Sequence, residues 1–231
     1  MDTIAYPFDQ CKELLENINE AADYFDIQLD EKRQVVVVWD EDEEKLAEFR
    51  PPLPCPAMKQ GQSLDEYLAD FPEEIPSYTI LLMQAGAAAL GYFEDGEPQL
   101  HKAIKKYMVR RKQGKAQINY LNTRGKSKAG SRIRLANTQR FFEEINEYLN
   151  NWEEYEPAEK IIYSCTARLW GMLFQSKVAA PFDKKDERLI KVPKDVGVPD
   201  YEELLKVNRF VKQGWLMVYQ EEEWDRITGF S

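Results

Sequence analysis

The chain has 231 residues, 43% hydrophobic and 12% aromatic, enough to bury a sizeable core in one large domain or two small ones and to exclude disorder as the dominant state. Its net charge of −10 hides an asymmetry: residues 1–100 carry 6 Lys and Arg against 23 Asp and Glu, whereas residues 101–140 carry 13 Lys and Arg and no carboxylate. No run approaches the roughly 20 apolar residues of a membrane span, and the start MDTIAYPFDQ has no signal-peptide pattern, so a soluble cytoplasmic protein without a membrane partner is expected.

In chain order, Phe8, Cys11, Leu14, Leu15, Ile18, Ala22 and Phe25 recur at the spacing of an amphipathic helix, and Val35–Trp39 reads as a strand. The acidic run Asp40–Glu44 leads through a second short helical stretch into RPPLPCP, residues 50–56, whose four prolines forbid regular structure and mark a linker. A short helical piece follows at Leu64–Phe71. Tyr78–Met83 and Ala89–Phe93 read as a hairpin of buried strands, with EDGEP as the next turn. Phe141, Phe142, Ile145, Tyr148, Leu149 and Trp152 form the core-facing stripe of a helix begun by Asn137 or Thr138 as N-cap. Lys160–Tyr163 is a strand, Ala167–Phe174 fits either state, Tyr201–Val211 is a helix and Trp215–Tyr219 a last strand. These elements predict an α/β fold of α+β type, a mixed sheet flanked by helices, preceded by a small helix and strand unit. The expected divisions are an acidic unit at 1–50, a proline-rich linker with a short helix at 51–74, the main domain at 75–220 and a tail at 221–231.

The lone His101 and three scattered cysteines, Cys11, Cys55 and Cys165, leave no CxxC pair and no HExxH motif. A Ser-His-Asp triad or a Cys-His pair would have to pass through that one imidazole. Neither GxxxxGK[ST] nor GxGxxG occurs, which disfavours nucleoside triphosphates and dinucleotides; no metal and no cofactor is expected. Forty residues without a carboxylate, in an otherwise acidic chain, point instead to a polyanionic partner. In this segment the run from His101, with Lys102, Lys105 and Lys106, continues the strand pattern through Ile104, Tyr107 and Val109 and breaks at Gly114 into a loop carrying Lys115, Ala116 and Gln117. Arg110, Arg111, Lys112 and Lys115 flank Gly114, and Gln117 follows. A second basic loop carries Arg124, Lys126, Lys128, Arg132 and Arg134 around Gly125 and Gly130. Cations beside flexible glycines suit a ribose-phosphate backbone, which they grip without reading sequence.

The run HKAIKKYMVRRKQGKAQ followed by KAGSRIRLAN closely resembles the core signature of the Vms-like release factor (VLRF) family. That signature is an H-K strand, a Y-x-x-R-x-K-x-G-x-x-Q loop, and an S-A-G-x-x-L-R-R-x-N-E stretch entering a helix. The matches are His101, Lys102, Tyr107, Arg110, Lys112, Gly114 and Gln117, then Ala129, Gly130, Arg134 and Asn137. Further on, Asp186, Arg188, Pro193, Pro199 and Leu204 match the family's D-x-R-x-x-x-x-P element and closing helix. Lys126–Lys128 and Thr138 depart from the pattern. These 231 residues hold no counterpart of the zinc finger, ankyrin repeats or valosin-interacting tail of eukaryotic members.

The resemblance implies a domain like the RNase H-like middle domain of release factors, freeing stalled nascent chains by hydrolysing peptidyl-tRNA or cutting the tRNA near its 3′ CCA end. Gln117 would then be the catalytic side chain and Gly114 the hinge of its loop. The cations from His101 to Arg134, with Asn137, would hold tRNA or peptidyl-tRNA on the large ribosomal subunit; DNA is not an expected partner. Two other readings stay open: a non-catalytic tRNA- or rRNA-binding module, and an interaction protein whose acidic N-terminal unit masks the basic face. Asp186 and Arg188 are expected to pair structurally, and His101 to make a phosphate or packing contact.

Overall fold

The computed structural model describes residues 2–108 and 126–221 with Trp224 and Ile227, and over 126–134 the backbone alone. The chain divides into two units, Met1–Pro76 with Asn208–Ser231, and Ser77–Val207.

The first unit is an antiparallel sheet in the order β1-β10-β4-β3-β2, with two helices. Its strands are β1 (Asp2–Tyr6), β2 (Asp26–Asp30), β3 (Val35–Trp39), β4 (Lys45–Arg50) and, from the far end of the chain, β10 (Gly214–Val218); α1 spans Phe8–Glu20 and α2 Leu64–Ala69. Pro7, with φ −56° and ψ 151°, stands at the N-cap of α1, where its missing N–H costs no hydrogen bond. Cys11, Leu14, Leu15 and Ile18 line one face of α1 and are buried with Val36, Val38, Phe49 and Leu216 of the sheet. The short α2 is held by a capping box between Ser63 and Glu66. The β2–β3 turn closes through the Asp30 carboxylate, which accepts from the backbone N–H groups of Lys32 and Arg33. Glu48, 4% exposed, receives a bidentate fork from Arg33 at 2.7 and 2.8 Å and a further bond from Lys45. Arg33 first and Lys45 second hold its carboxyl down at about 2.

Gly214 is a point of close approach: a Cβ there would lie 2.6 Å from the Phe49 ring and 2.7 Å from Cys11 Sγ. Gly214→Ala is therefore expected to destabilise the first unit by about 1–3 kcal/mol through overpacking. A denaturant midpoint unchanged by the substitution would mean that Phe49 and Cys11 yield freely.

The second unit carries a sheet in the order β7-β6-β5-β8-β9. Its elements are β5 (Tyr78–Gln84), β6 (Ala87–Glu94), β7 (Glu97–Lys105), α3 (Lys126–Tyr155), β8 (Lys160–Ser164), α4 (Ala167–Leu173), β9 (Leu189–Lys191) and α5 (Tyr201–Val211). Numbered within the unit, the order is 3-2-1-4-5, with only the second strand antiparallel to its neighbours. This is a mixed sheet flanked by helices, as the order of elements in the sequence predicts. The turns follow from sequence: Gly86 at φ 90° closes β5–β6, and Asp95–Gly96 at φ 50° and 73° form an Asp-Gly hairpin turn between β6 and β7.

Strand β5 is buried on both faces, which is why its sequence, YTILLM, runs apolar without alternation. On one face Leu81, Leu90, Tyr92 and Ile104 share a core with Phe141, Phe142, Ile145 and Leu149 of α3. On the other, Tyr78 stacks on Phe93, and Gly91 leaves the room that Leu204 of α5 fills. Helix α3 is the crossover that parallel pairing of β5 and β8 requires.

Several expectations are corrected. Lys45–Arg50, read as helical, is a strand, because pairing with β3 and β10 outweighs local propensity. The stretch around Pro51–Pro56 is no exposed linker: Pro51, Pro52, Pro54 and Cys55 are buried, Leu53 N–H donates to Val211 carbonyl, and Pro56 carbonyl accepts from Tyr67 hydroxyl. The last strand does not close the main domain but lies between β1 and β4, and Trp224 of the expected tail belongs to the first core. The unit boundaries fall accordingly at 76/77 and 207/208 rather than at 50, 74 and 220. Helix α3 begins at Lys126, so Lys126 to Asn137 are helical backbone, and Asn137 and Thr138 lie inside the helix. Gly130 and the crowded cations suggested a loop; the core packing of the helix's later turns extends it back through them.

Candidate nucleic-acid interface

Strands β5, β7, β8 and β9 all run the same way, so their carboxyl ends, at Gln84, Lys105, Ser164 and Lys191, share one edge of the second sheet. The acid-free segment leaves the sheet at this edge. Its exit is fixed twice: Lys106 N–H donates to Gly86 carbonyl at 2.9 Å, and Asn137 Nδ2 of α3 donates to Tyr107 carbonyl at 3.0 Å. A side chain at 86 would meet Lys106 carbonyl at 2.5 Å, so this close approach demands glycine. Tyr107 and Asn137, both family-motif residues, thus meet across 30 positions of sequence.

The cations at the exit divide by strand alternation. Lys102 and Lys106 turn toward α3: Lys102 Nζ lies 4.7 Å over the Tyr148 ring, and Lys106 Nζ pairs with Glu144 at 2.6 Å. Tyr148 first, with Glu144 as a smaller contributor, raises the Lys102 ammonium pKa. His101 and Lys105 project from the other face and are exposed, and the His101 ring packs on Tyr201 with centroids 4.3 Å apart. Gly114, Gln117, Arg110, Arg111, Lys112, Lys115 and Arg124 lie outside the described residues. Lys126, Lys128, Arg132 and Arg134 are placed in the first turns of α3 by their backbone.

The second motif is structural at its core. Arg188 Nε and Nη2 bond the Asp186 carboxylate at 3.0 Å, Nη1 donates to Ala158 carbonyl at 3.0 Å, and Glu153 of α3 supplies a second carboxylate. Asp186 is held below the usual carboxylate range by Arg188, and Arg188 is held above its own by Asp186 and then Glu153. The chain after β9 then crosses the carboxyl edge: Gln84 Nε2 donates to the carbonyls of Val196 and Gly197, and Gly197 N–H to Glu203. This strap brings Tyr201 to His101. Tyr201 and Gln84 escaped sequence reading because only the sheet order brings them to this edge; the one local sign was Asp200, whose carboxylate caps Glu203 N–H at the start of α5.

Burial pushes the Cys165 thiol up to about 11 and Cys11 up to about 12, so neither supplies a thiolate at neutral pH. Among the described residues no group of three or more His, Cys, Asp or Glu could hold a metal ion, and no helix is long and apolar enough to cross a membrane. The exposed His101 and Lys105 put imidazole and ammonium groups at this edge.

Residues 78–216, more than half of the chain, match the model of the Bacteroidetes VLRF1 release factor family, and the chain belongs to that family. It is also 28% identical over 148 residues to the mouse tRNA endonuclease ANKZF1 and 26% identical over 128 residues to the tRNA endonuclease vms-1 of Caenorhabditis elegans. These alignments cover 63% and 54% of the chain but 20% of each relative, so the chain spans about a fifth of the length of the curated relatives it matches. Among solved structures, it is similar to the Vms1 mitochondrial localization core at 10% identity and a TM-score of 0.46, covering 92% of this chain and 84% of that one. Similarity to the archaeal termination factor aRF1 is lower, at 15% identity and a TM-score of 0.34, covering 91% and 66%.

Proposed function

We propose that the protein is a cytoplasmic ribosome-rescue factor that cleaves peptidyl-tRNA at its acceptor end, on or released from the large ribosomal subunit. One observation carries this reading: the acid-free segment 101–140, with Gln117 three residues after Gly114, lies wholly inside the span matched by the release-factor family. The cations of that segment hold the acceptor stem through its phosphates, and Gln117 reaches the scissile bond on a loop hinged at Gly114. A glutamine amide takes no proton near neutral pH. It orients the attacking oxygen, water for the ester or a ribose hydroxyl for the phosphodiester, while backbone N–H groups stabilise the charge that develops. In ester hydrolysis the water oxygen bonds to the peptidyl carbonyl carbon, and the terminal ribose oxygen leaves and takes the proton.

The binding half is tested by salt. Affinity for tRNA is expected to fall by about 0.7–0.9 decades per decade of salt for each phosphate neutralised, and Arg132→Ala with Arg134→Ala to reduce both affinity and slope. Salt-independent binding, or no binding at low salt, would contradict it.

A further inference from the structure

A cleft of about 780 Å³ opens at the carboxyl edge of the second sheet, between the ends of β5, β8 and β9 and the strap that follows β9. Its position follows from topology. From β5 the chain proceeds to β6 and β7 on one side, then crosses through α3 to β8 on the other, so the succession of strands reverses between β5 and β8. Neighbouring connections diverge at such a point and leave a crevice outside the strand ends, where open α/β sheets place their ligands. The volume lies within the range of small-molecule sites.

The lining specifies the ligand. Lys191 and Lys194 supply positive charge at one wall, and Asp195 an exposed carboxylate next to them. Thr166 Oγ1 accepts from Leu169 N–H at 3.4 Å, which leaves its hydroxyl proton to donate outward. Gln84 spends its Nε2 on the strap and offers Oε1 as an acceptor. Pro193 is the exposed apolar side chain of the lining and offers a surface to a flat ring, while Met83 and Val192 are buried. Cations for a phosphate, a carboxylate for a cis-diol and an apolar surface for a base together match one ribonucleotide. We propose that this cleft binds a single ribonucleotide unit, with phosphate on Lys191 and Lys194 and the ribose 2′,3′-diol on Asp195, and that it seats the 3′-terminal nucleotide of tRNA once ester hydrolysis has freed that diol. The assignment to tRNA rests on the function proposed above; the site itself does not. A free nucleoside monophosphate and an RNA 3′ end share this chemistry, and the test separates them.

The experiment measures binding of a 5′-labelled RNA tetranucleotide, ACCA, to the full chain by fluorescence anisotropy. The ligand is used with a free 3′ diol, with a 3′ phosphate and as DNA, and adenosine 5′-monophosphate serves as competitor. Lys191→Ala with Lys194→Ala is compared with Lys184→Ala with Lys185→Ala, an exposed pair outside the cleft, at equal melting temperature. The cleft pair is expected to weaken the free-diol RNA about tenfold and the control pair less than about threefold, and 3′ phosphorylation or deoxyribose to cost about as much as the cleft pair. No binding of the tetranucleotide, equal losses for the two lysine pairs, or indifference to the diol would overturn the site. Competition by the monophosphate as strong as by unlabelled ACCA would keep the site and overturn its assignment to an RNA end. Diol-dependent binding by a protein that cleaves no peptidyl-tRNA would leave the cleft standing and remove the rescue function.

Discussion

Gln117→Ala is expected to slow peptidyl-tRNA cleavage by about two orders of magnitude or more while changing tRNA affinity little. In the proposed mechanism the amide acts only where the attacking oxygen is being oriented, so its loss would remove a contact made in the transition state and spare the phosphate grip. Under the same proposal Gly114→Pro is expected to act similarly by another route, because proline would fix φ three residues before Gln117, where the proposed hinge needs freedom. Single-turnover rates at matched tRNA occupancy measure the effect. Equal rates for wild type and Gln117→Ala would remove the glutamine from the catalytic step.

Arg188→Ala carries the largest expected cost to the fold. Arg188 is 26% exposed and satisfies Asp186, Glu153 and the Ala158 carbonyl at once, so truncation strands two carboxylates near the end of α3 and the start of β9. With that partial exposure the loss is about 2–3 kcal/mol, below the figure for a fully buried pair. The same cluster gives a pH dependence of defined sign. The Asp186 pKa is lower in the folded state, so its contribution is present above the unfolded carboxylate pKa and is lost as pH falls through the folded one. The stability difference between wild type and Arg188→Ala should therefore shrink at acid pH. Chemical denaturation at neutral pH and near pH 3 tests both; a loss within about 0.5 kcal/mol at neutral pH would make the D-x-R element dispensable to the fold.

What could be read from sequence, and what could not, follows from where each element gets its stability. Val35–Trp39 and Tyr201–Val211 were legible to the residue because their apolar patterns are dense and their ends are punctuated. Lys45–Arg50 and Asp2–Tyr6 were not, since each is a strand only through partners distant in sequence, β10 above all. The start of α3 was obscured by Gly130 and by cations that break the apolar period. At the site, the strand pattern read through Tyr107 and Val109 overran the end of β7 at Lys105, and the Tyr107–Asn137 bond brings together two motif residues 30 positions apart. Motif order gave no sign that Lys102 and Lys106 turn inward to Tyr148 and Glu144, nor that the strap brings Gln84, Lys191 and Tyr201 to the same edge.

Cleavage at the acceptor end of peptidyl-tRNA is tested by incubating the protein with purified peptidyl-tRNA, free and on large ribosomal subunits, and sequencing the tRNA 3′ ends. Peptide release from at least one substrate is expected, leaving tRNA either intact or shortened near the CCA end, with the reaction abolished or strongly slowed by Gln117→Ala. Saturating tRNA binding by the wild type with no peptide released and no tRNA cut on either substrate would contradict it.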